Sequence, residues 1–122
     1  MGKDNLILDK SFSFALVVID LYVKCRKQQE FVLSKQFLRS GTSIGSNVEE
    51  SVAASSKKDF INKLRIANKE ARETRYWFRL LNQSGLVDVN FDAALIEIES
   101  IINILTKIIK TSENNDDDSV KT

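Results

Sequence analysis

The absence of proline constrains the fold of this chain more than any other feature. The 122 residues contain no proline and only four glycines, so long helices can run uninterrupted and a turn-rich β-sandwich is disfavoured. Apolar residues recur at three- and four-residue steps, the spacing of one helix face, through four successive segments. Helices are therefore predicted over about 5–28, 34–53, 57–84 and 91–111. Short links between them predict an all-α, antiparallel up-down four-helix bundle in one domain over 1–112.

Small polar residues and one glycine indicate where these helices begin and end. Ser34 is placed to cap the second helix, and Asn90 the fourth. Ser56, three residues before Asp59, resembles the capping box that starts a helix. Gly85 suits the left-handed position that follows the third helix.

The first helix carries two apolar faces. One face, predicted to meet the core, consists of Leu8, Phe12, Ala15, Leu16, Ile19, Tyr22 and Val23. The neighbouring face, predicted to be an oligomer interface, consists of Ile7, Phe14, Val18 and Leu21, continued by Cys25. A helix that is apolar around so much of its circumference is buried on more than one side. The second side is covered either by another subunit or by the other helices of the same bundle. Cys25 is predicted to be a buried apolar residue, because the chain has no histidine to activate it as a nucleophile.

The stretch 39–50 keeps helical spacing although its composition opposes a helix. Gly41 and Gly45 each cost about 1 kcal/mol relative to alanine, which indicates close packing of another helix at these positions. The opposite side carries a polar stripe, interpreted as a hydrogen-bonded contact surface rather than a solvated face, of Arg39, Ser43, Asn47 and Glu50.

A row of cations lies on the outer side of the third helix. Arginines can hold phosphates with two hydrogen bonds each, so this row is a candidate nucleic-acid surface. Its alternative is a charged surface helix with local ion pairs. The row consists of Arg65, Arg72, Arg75 and Arg79, flanked by Lys58 and Lys69.

Charge is divided unevenly along the chain. Residues 1–80 carry 15 Lys/Arg against 9 Asp/Glu, whereas residues 81–122 carry 3 against 8, within a net charge of +1. The segment 113–122 has nothing to bury and is predicted to be a disordered acidic tail. Because no apolar run is long enough for a membrane span and the single cysteine requires no oxidising compartment, a cytoplasmic protein without membrane contact is expected.

Catalytic and metal sites are not predicted. Di-iron bundles use Glu-x-x-His pairs and zinc sites commonly use histidine, which this chain lacks. No glycine-rich phosphate loop is found. The neighbouring carboxylates at Glu49/Glu50 and Glu70/Glu73 could form an acid–base pair, but structural carboxylates are far more common. Neither an enzyme nor a cofactor is expected.

Two motif blocks carry a family resemblance. RSGTSIGSNVEE (39–50) and DFIxKLxIAxKEAxETxYW (59–77, where x marks a position outside the motif), with shorter pieces at 10–12 and 20–22, resemble the bacterial four-helix-bundle family encoded within intervening sequences of 23S ribosomal RNA genes. The likeness covers about 5–110, and Gly45 and Ser46 stand where the family commonly has alanine. The family signature falls on Arg39, Ser40, Gly41, Ser43, Asn47, Glu50, Glu70 and Glu73.

The resemblance implies a bundle that assembles into a ring-like homo-oligomer, expected to be a pentamer. The chain is also similar to the accessory protein of diversity-generating retroelements, a basic pentameric barrel that binds nucleic acid and a reverse transcriptase. A net charge of +1 departs from that strongly basic protein. Two functions follow: a homo-oligomer that binds RNA or DNA, or an adaptor that oligomerises and binds a protein partner without nucleic acid.

Overall fold

The chain folds as a four-helix bundle, as predicted. The computed structural model describes the backbone of residues 3–121 and the side chains of residues 6–115. The helices are α1 (Lys3–Lys27), α2 (Leu33–Val52), α3 (Lys57–Ser84) and α4 (Asp92–Lys121), with no strand among the described residues. Within this part of the chain, no helix is long and apolar enough to cross a membrane.

Contacts between neighbouring helices run in opposite directions along the two partners. Gly41 lies against Val18 and Gly45 against Ser11, so α2 returns along α1. The same reversal joins α3 to α4, where Asn68 bonds Thr106 and Arg75 pairs with Glu99. An ion pair between Lys10 and Glu97 joins α1 to α4, which closes the up-down bundle.

Four phenylalanines form the centre of the core. Their ring centroids lie 5.1–6.1 Å apart in tilted and edge-to-face arrangements, which aromatic rings prefer over face-to-face stacking. All four are at most 1% exposed: Phe14, Phe37, Phe78 and Phe91. Because they come from α1, α2, α3 and the residue before α4, this cluster ties all four helices together.

The start of α2 differs from its predicted cap. The helix begins at Leu33, so Ser34 lies inside it and donates its hydroxyl to the Glu30 carbonyl at 2.9 Å. The Glu30 carboxylate instead accepts hydrogen bonds from the backbone N–H groups of Val32, Leu33 and Ser34 at 2.7–3.1 Å. A carboxylate from outside the helix therefore satisfies the first-turn donors.

The predicted limits of α3 are confirmed. Ser56 has an extended backbone and its hydroxyl accepts from the Asp59 N–H at 3.0 Å, as a capping residue does. Gly85 follows the helix with φ 70°, a conformation that glycine adopts without steric cost. Before α4, the Asn90 side chain accepts from the Asp92 N–H at 2.8 Å.

The apolar face of α1 that was predicted to be an oligomer interface lies in the core of the subunit. Ile7, Phe14, Val18 and Leu21, predicted as an oligomer interface, are at most 5% exposed and belong to the core of the subunit. Of the face predicted as core, Leu8 and Tyr22 pack against the edge of the core, whereas Phe12, Leu16, Ile19 and Val23 are 42–64% exposed. Both faces have helical spacing, so periodicity could not choose between them. Helix packing determines which face is buried, because the glycines of α2 contact the face of α1 that carries Ser11 and Val18.

The fourth helix continues past its predicted end at residue 111. Its backbone is helical to Lys121, where a disordered tail was predicted from residue 113. No proline or glycine interrupts this segment, and Glu113 forms an ion pair with Arg65 of α3. The side chains of residues 116–122, which include most of the predicted acidic tail, lie outside those described.

Candidate nucleic-acid and assembly surfaces

The third helix presents a basic face away from the core. Its buried residues, including Leu64, Ala71 and Phe78, share one side of the helix. At about 100° per residue, the opposite side carries an exposed row that we call the α3 outer face. It consists of Lys58, Arg65, Lys69, Arg72, Tyr76 and Arg79.

Four cations of this face have no ion pair or hydrogen bond with a described residue: Lys58, Lys69, Arg72 and Arg79. Their charged groups are therefore available to an outside anion. They extend from residue 58 to residue 79 along one helix, a length of roughly 30 Å at 1.5 Å per residue. Four positive charges on one rigid line suit a polyanion better than a single small anion.

The other two predicted cations are paired with acids of α4. Arg75 contacts Glu99 and is only partly exposed, and Arg65 contacts Glu113. These pairs join α3 to α4 and reduce the positive charge along that edge. The predicted row therefore divides into four unpaired cations and two that are engaged within the subunit.

An aromatic residue missing from the predicted site lies among the unpaired cations. Tyr76 is 52% exposed, four positions after Arg72 and three before Arg79. It borders a shallow pocket lined by Tyr76, Arg79, Leu80, Gln83 and Ser84. Its position in the helix places it on this face, but its side chain carries no charge to mark it as part of a basic row. Exposed aromatic rings between cations are typical of surfaces that bind single-stranded nucleic acid.

The outward side of α1 is apolar. Four side chains, spaced one turn apart and 42–64% exposed, form what we call the α1 outer stripe: Phe12, Leu16, Ile19 and Val23. Large contiguous apolar patches on protein surfaces commonly mark sites of association, so this stripe is a candidate assembly surface. The residues predicted as the oligomer interface are buried in the core, and the exposed apolar residues of α1 are different ones.

Signature residues connect α2 to α3 inside the subunit. Arg39 donates to Glu70 at 2.7 Å and also contacts Glu73, so one guanidinium joins two carboxylates one turn apart on α3. The hydrogen bond that Arg39 donates to Glu70 raises the pKa of Arg39 and, with the charges of both glutamates, outweighs the opposing effect of desolvation. Glu70 is 9% exposed, so removing Arg39 would leave a largely buried carboxyl group without its charged partner.

Two of the remaining signature positions also join helices, and two others form hydrogen bonds within α2. Ser40 and Thr74 share a buried hydrogen bond of 2.7 Å between α2 and α3. Glu50 pairs with Lys63 of α3 at 3.1 Å. Ser43 and Asn47 bond backbone carbonyls within α2, at Arg39 and Ser43 respectively. The polar stripe of α2 therefore borders α3, with its two charged members paired inside the subunit.

No metal or nucleophilic centre is seen in the described part of the chain. It contains no group of three or more His, Cys, Asp or Glu side chains that could hold a metal ion. Cys25 is fully buried. Burial, and then the nearby Glu30 carboxylate, raise the pKa of the Cys25 thiol to about 11. A thiol with this pKa is a poor nucleophile at neutral pH.

Comparisons with known proteins agree with the motif resemblance. A family model described as 23S rRNA-intervening sequence protein matches residues 3–107. A crystal structure from Bacteroides thetaiotaomicron, described as a protein with unknown function from the S23 ribosomal protein family, is 46% identical. The match covers 89% of this chain and 99% of that one, with a TM-score of 0.84. No curated protein matches the sequence. The chain belongs to the 23S rRNA-intervening sequence protein family.

Proposed function

We propose that this protein is a non-enzymatic RNA-binding module that works as a homo-oligomer in the cytoplasm. The observation that carries the proposal is the set of four unpaired cations on the α3 outer face. Unpaired lysines and arginines bind phosphates by releasing condensed counterions, without requiring a particular base sequence. A net charge of +1 does not oppose this, because residues 1–80, which include the cations of α3, carry 15 Lys/Arg against 9 Asp/Glu, whereas residues 81–122 carry 3 against 8.

Assembly is proposed to occur through the α1 outer stripe. Joining copies would bury Phe12, Leu16, Ile19 and Val23, which water otherwise surrounds. A closed ring, such as the pentamer expected from the family resemblance, would present several α3 outer faces at once. Several weak phosphate-binding faces on one particle bind a long RNA more tightly than a single face does.

The RNA interaction can be tested by fluorescence anisotropy with a labelled mixed-sequence RNA. The variant Lys69→Ala/Arg72→Ala/Arg79→Ala removes three unpaired cations of the α3 outer face. Affinity is expected to fall at least about tenfold at low salt, and the salt slope to decrease by about two to three ions.

A matched control removes the same charge from other surfaces. Lys27, Lys35 and Lys110 are exposed and have no ion pair among the described residues, so replacing all three with alanine is the comparison. This control should bind RNA within about threefold of the wild type if position on α3 is what counts. Equal losses in the two triple variants would contradict a specific basic face. A DNA probe of the same sequence tests whether RNA is the preferred nucleic acid.

Assembly has its own test, because the stripe can be changed without touching α3. Leu16→Glu places a charge at the centre of the α1 outer stripe and is expected to yield monomers in light scattering. Ile96→Glu is the control, since Ile96 is 74% exposed on α4 and lies outside the stripe. Unchanged oligomer size in Leu16→Glu would contradict assembly through this face.

An adaptor without nucleic acid is the second candidate, favoured by the strongly apolar α1 outer stripe. In that case the oligomer binds a protein partner and the four cations serve only solubility. The adaptor function predicts that assembly is insensitive to salt and that neither RNA nor DNA binds in the anisotropy assay.

A further inference from the structure

We propose that the α3 outer face binds single-stranded RNA in preference to duplex RNA, with Tyr76 as a stacking platform for one base. This inference deepens the proposed RNA-binding function and rests on it. It assigns a role to an exposed aromatic residue that packing within the subunit does not require.

The first support is the position of Tyr76 between two unpaired arginines. Arg72 precedes it by four residues and Arg79 follows it by three, so each lies about one helical turn away. None of the three side chains packs into the core, and neither arginine has a partner among the described residues. A phosphate on either side of the ring would bring the intervening base towards the tyrosine.

The second support is that the neighbouring residues orient the ring. Tyr76 contacts Trp77 edge-to-face, with ring centroids 5.2 Å apart and planes at 66°. Trp77 is half-buried and packs against the core, so it offers Tyr76 a fixed neighbour. A ring that is already held in place loses less conformational entropy when a base binds it.

The third support is the apolar pocket beside the ring. It lies between Tyr76 and Leu80, which is 38% exposed, and Arg79 and Gln83 add hydrogen-bond donors at its edge. A flat base can cover the aromatic and aliphatic surface while its polar edge reaches these side chains. The bases of a duplex are stacked on one another, so only an unpaired base can enter this pocket.

Single-stranded, duplex and DNA probes of one sequence test the inference by anisotropy at low salt. The wild type is expected to bind the single strand at least about fivefold more tightly than the duplex. This ratio corresponds to about 1 kcal/mol, the lower end of the binding free energy of one stacked base. Tyr76→Ala should lose that preference by weakening single-strand binding alone. Tyr76→Phe, which keeps the ring, should retain the preference.

Phe31→Ala is the matched control for losing an exposed aromatic residue near an arginine. Phe31 is 46% exposed and lies 5.7 Å from the Arg26 guanidinium, far from α3 in sequence. It should leave both affinities unchanged, and the salt slope of Tyr76→Ala should match that of the wild type because no charge is removed.

Each contrary outcome has a distinct meaning. RNA binding with equal affinity for single strand and duplex, unchanged by Tyr76→Ala, overturns this inference and leaves the proposed function intact. A wild type that binds no RNA overturns both. If Tyr76→Ala changes oligomer size without RNA, the ring belongs to a subunit interface and the stacking role is overturned.

Discussion

Replacing Gly41 with alanine tests the contact that fixes α1 against α2. A Cβ atom added at this position would lie 2.7 Å from Val18 Cγ2 and 2.9 Å from Val18 Cγ1. Carbon atoms in contact prefer about 3.5–4.0 Å, so one side chain or one helix must move by up to about 1 Å. Val18 cannot easily turn away, because a β-branched residue in a helix has one strongly preferred rotamer.

Two opposing terms decide the sign of the effect. Alanine in place of glycine favours the helix by about 1 kcal/mol. Overpacking a well-filled core costs about 1–3 kcal/mol. The net expectation for Gly41→Ala is a loss of about 1 kcal/mol in the free energy of unfolding, although helix propensity alone predicts a gain of that size.

Urea unfolding followed by far-ultraviolet circular dichroism, at one fixed protein concentration, measures this change. Shortening Val18 to alanine removes both methyl groups that the new Cβ would meet. In that background Gly41→Ala should stabilise the protein by up to about 1 kcal/mol, so the sign of the effect reverses. Ser46→Ala is the control, since Ser46 lies on the exposed side of α2 and should have the same effect in both backgrounds. Equal stabilisation by Gly41→Ala with and without Val18 would refute the close-packing explanation.

Two further predictions concern titratable groups at the end of α1. Burial opposes ionisation of Glu30, but N–H groups of Leu33, Ser34 and Val32 lower its pKa overall. The stability that the Glu30 carboxylate gives is therefore present above about pH 4.5 and is lost as the pH falls through the lowered pKa. In urea unfolding, Glu30→Gln should lower the free energy of unfolding by about 1 kcal/mol at pH 7 and by less at pH 3. An equally large loss in the free energy of unfolding at pH 3 would contradict the role of the carboxylate. Because the pKa of Cys25 is raised to about 11, its thiol should react with a thiol reagent at pH 8 only after the protein unfolds. Rapid labelling of the folded protein would contradict its burial.

The four helices could be predicted because local signals agree with the apolar spacing. The limits of α3 match the prediction, since Ser56 and Gly85 leave little choice for its ends. The end of α4 was missed because its polar residues signal only the loss of a buried face, and nothing in the sequence breaks the helix there. The cap of α2 was missed because Glu30 acts from outside the helix, through a loop conformation that the sequence does not reveal.

The surfaces could be predicted only in part. Helical spacing placed the cations on the outer side of α3, but their pairing depends on Glu99 and Glu113, which belong to another helix. Both faces of α1 carry apolar residues at helical spacing, so their assignment required knowing which one meets Gly41 and Gly45. Sequence position alone does not contain that tertiary information.

The most direct test of the central proposal is size-exclusion chromatography with light scattering, with and without a mixed RNA at low and high salt. The proposal predicts a closed oligomer that takes up RNA at low salt and releases it at high salt. A monomer would contradict assembly through the α1 outer stripe. An oligomer that ignores RNA at low salt would contradict RNA binding by the α3 outer face and favour the adaptor function.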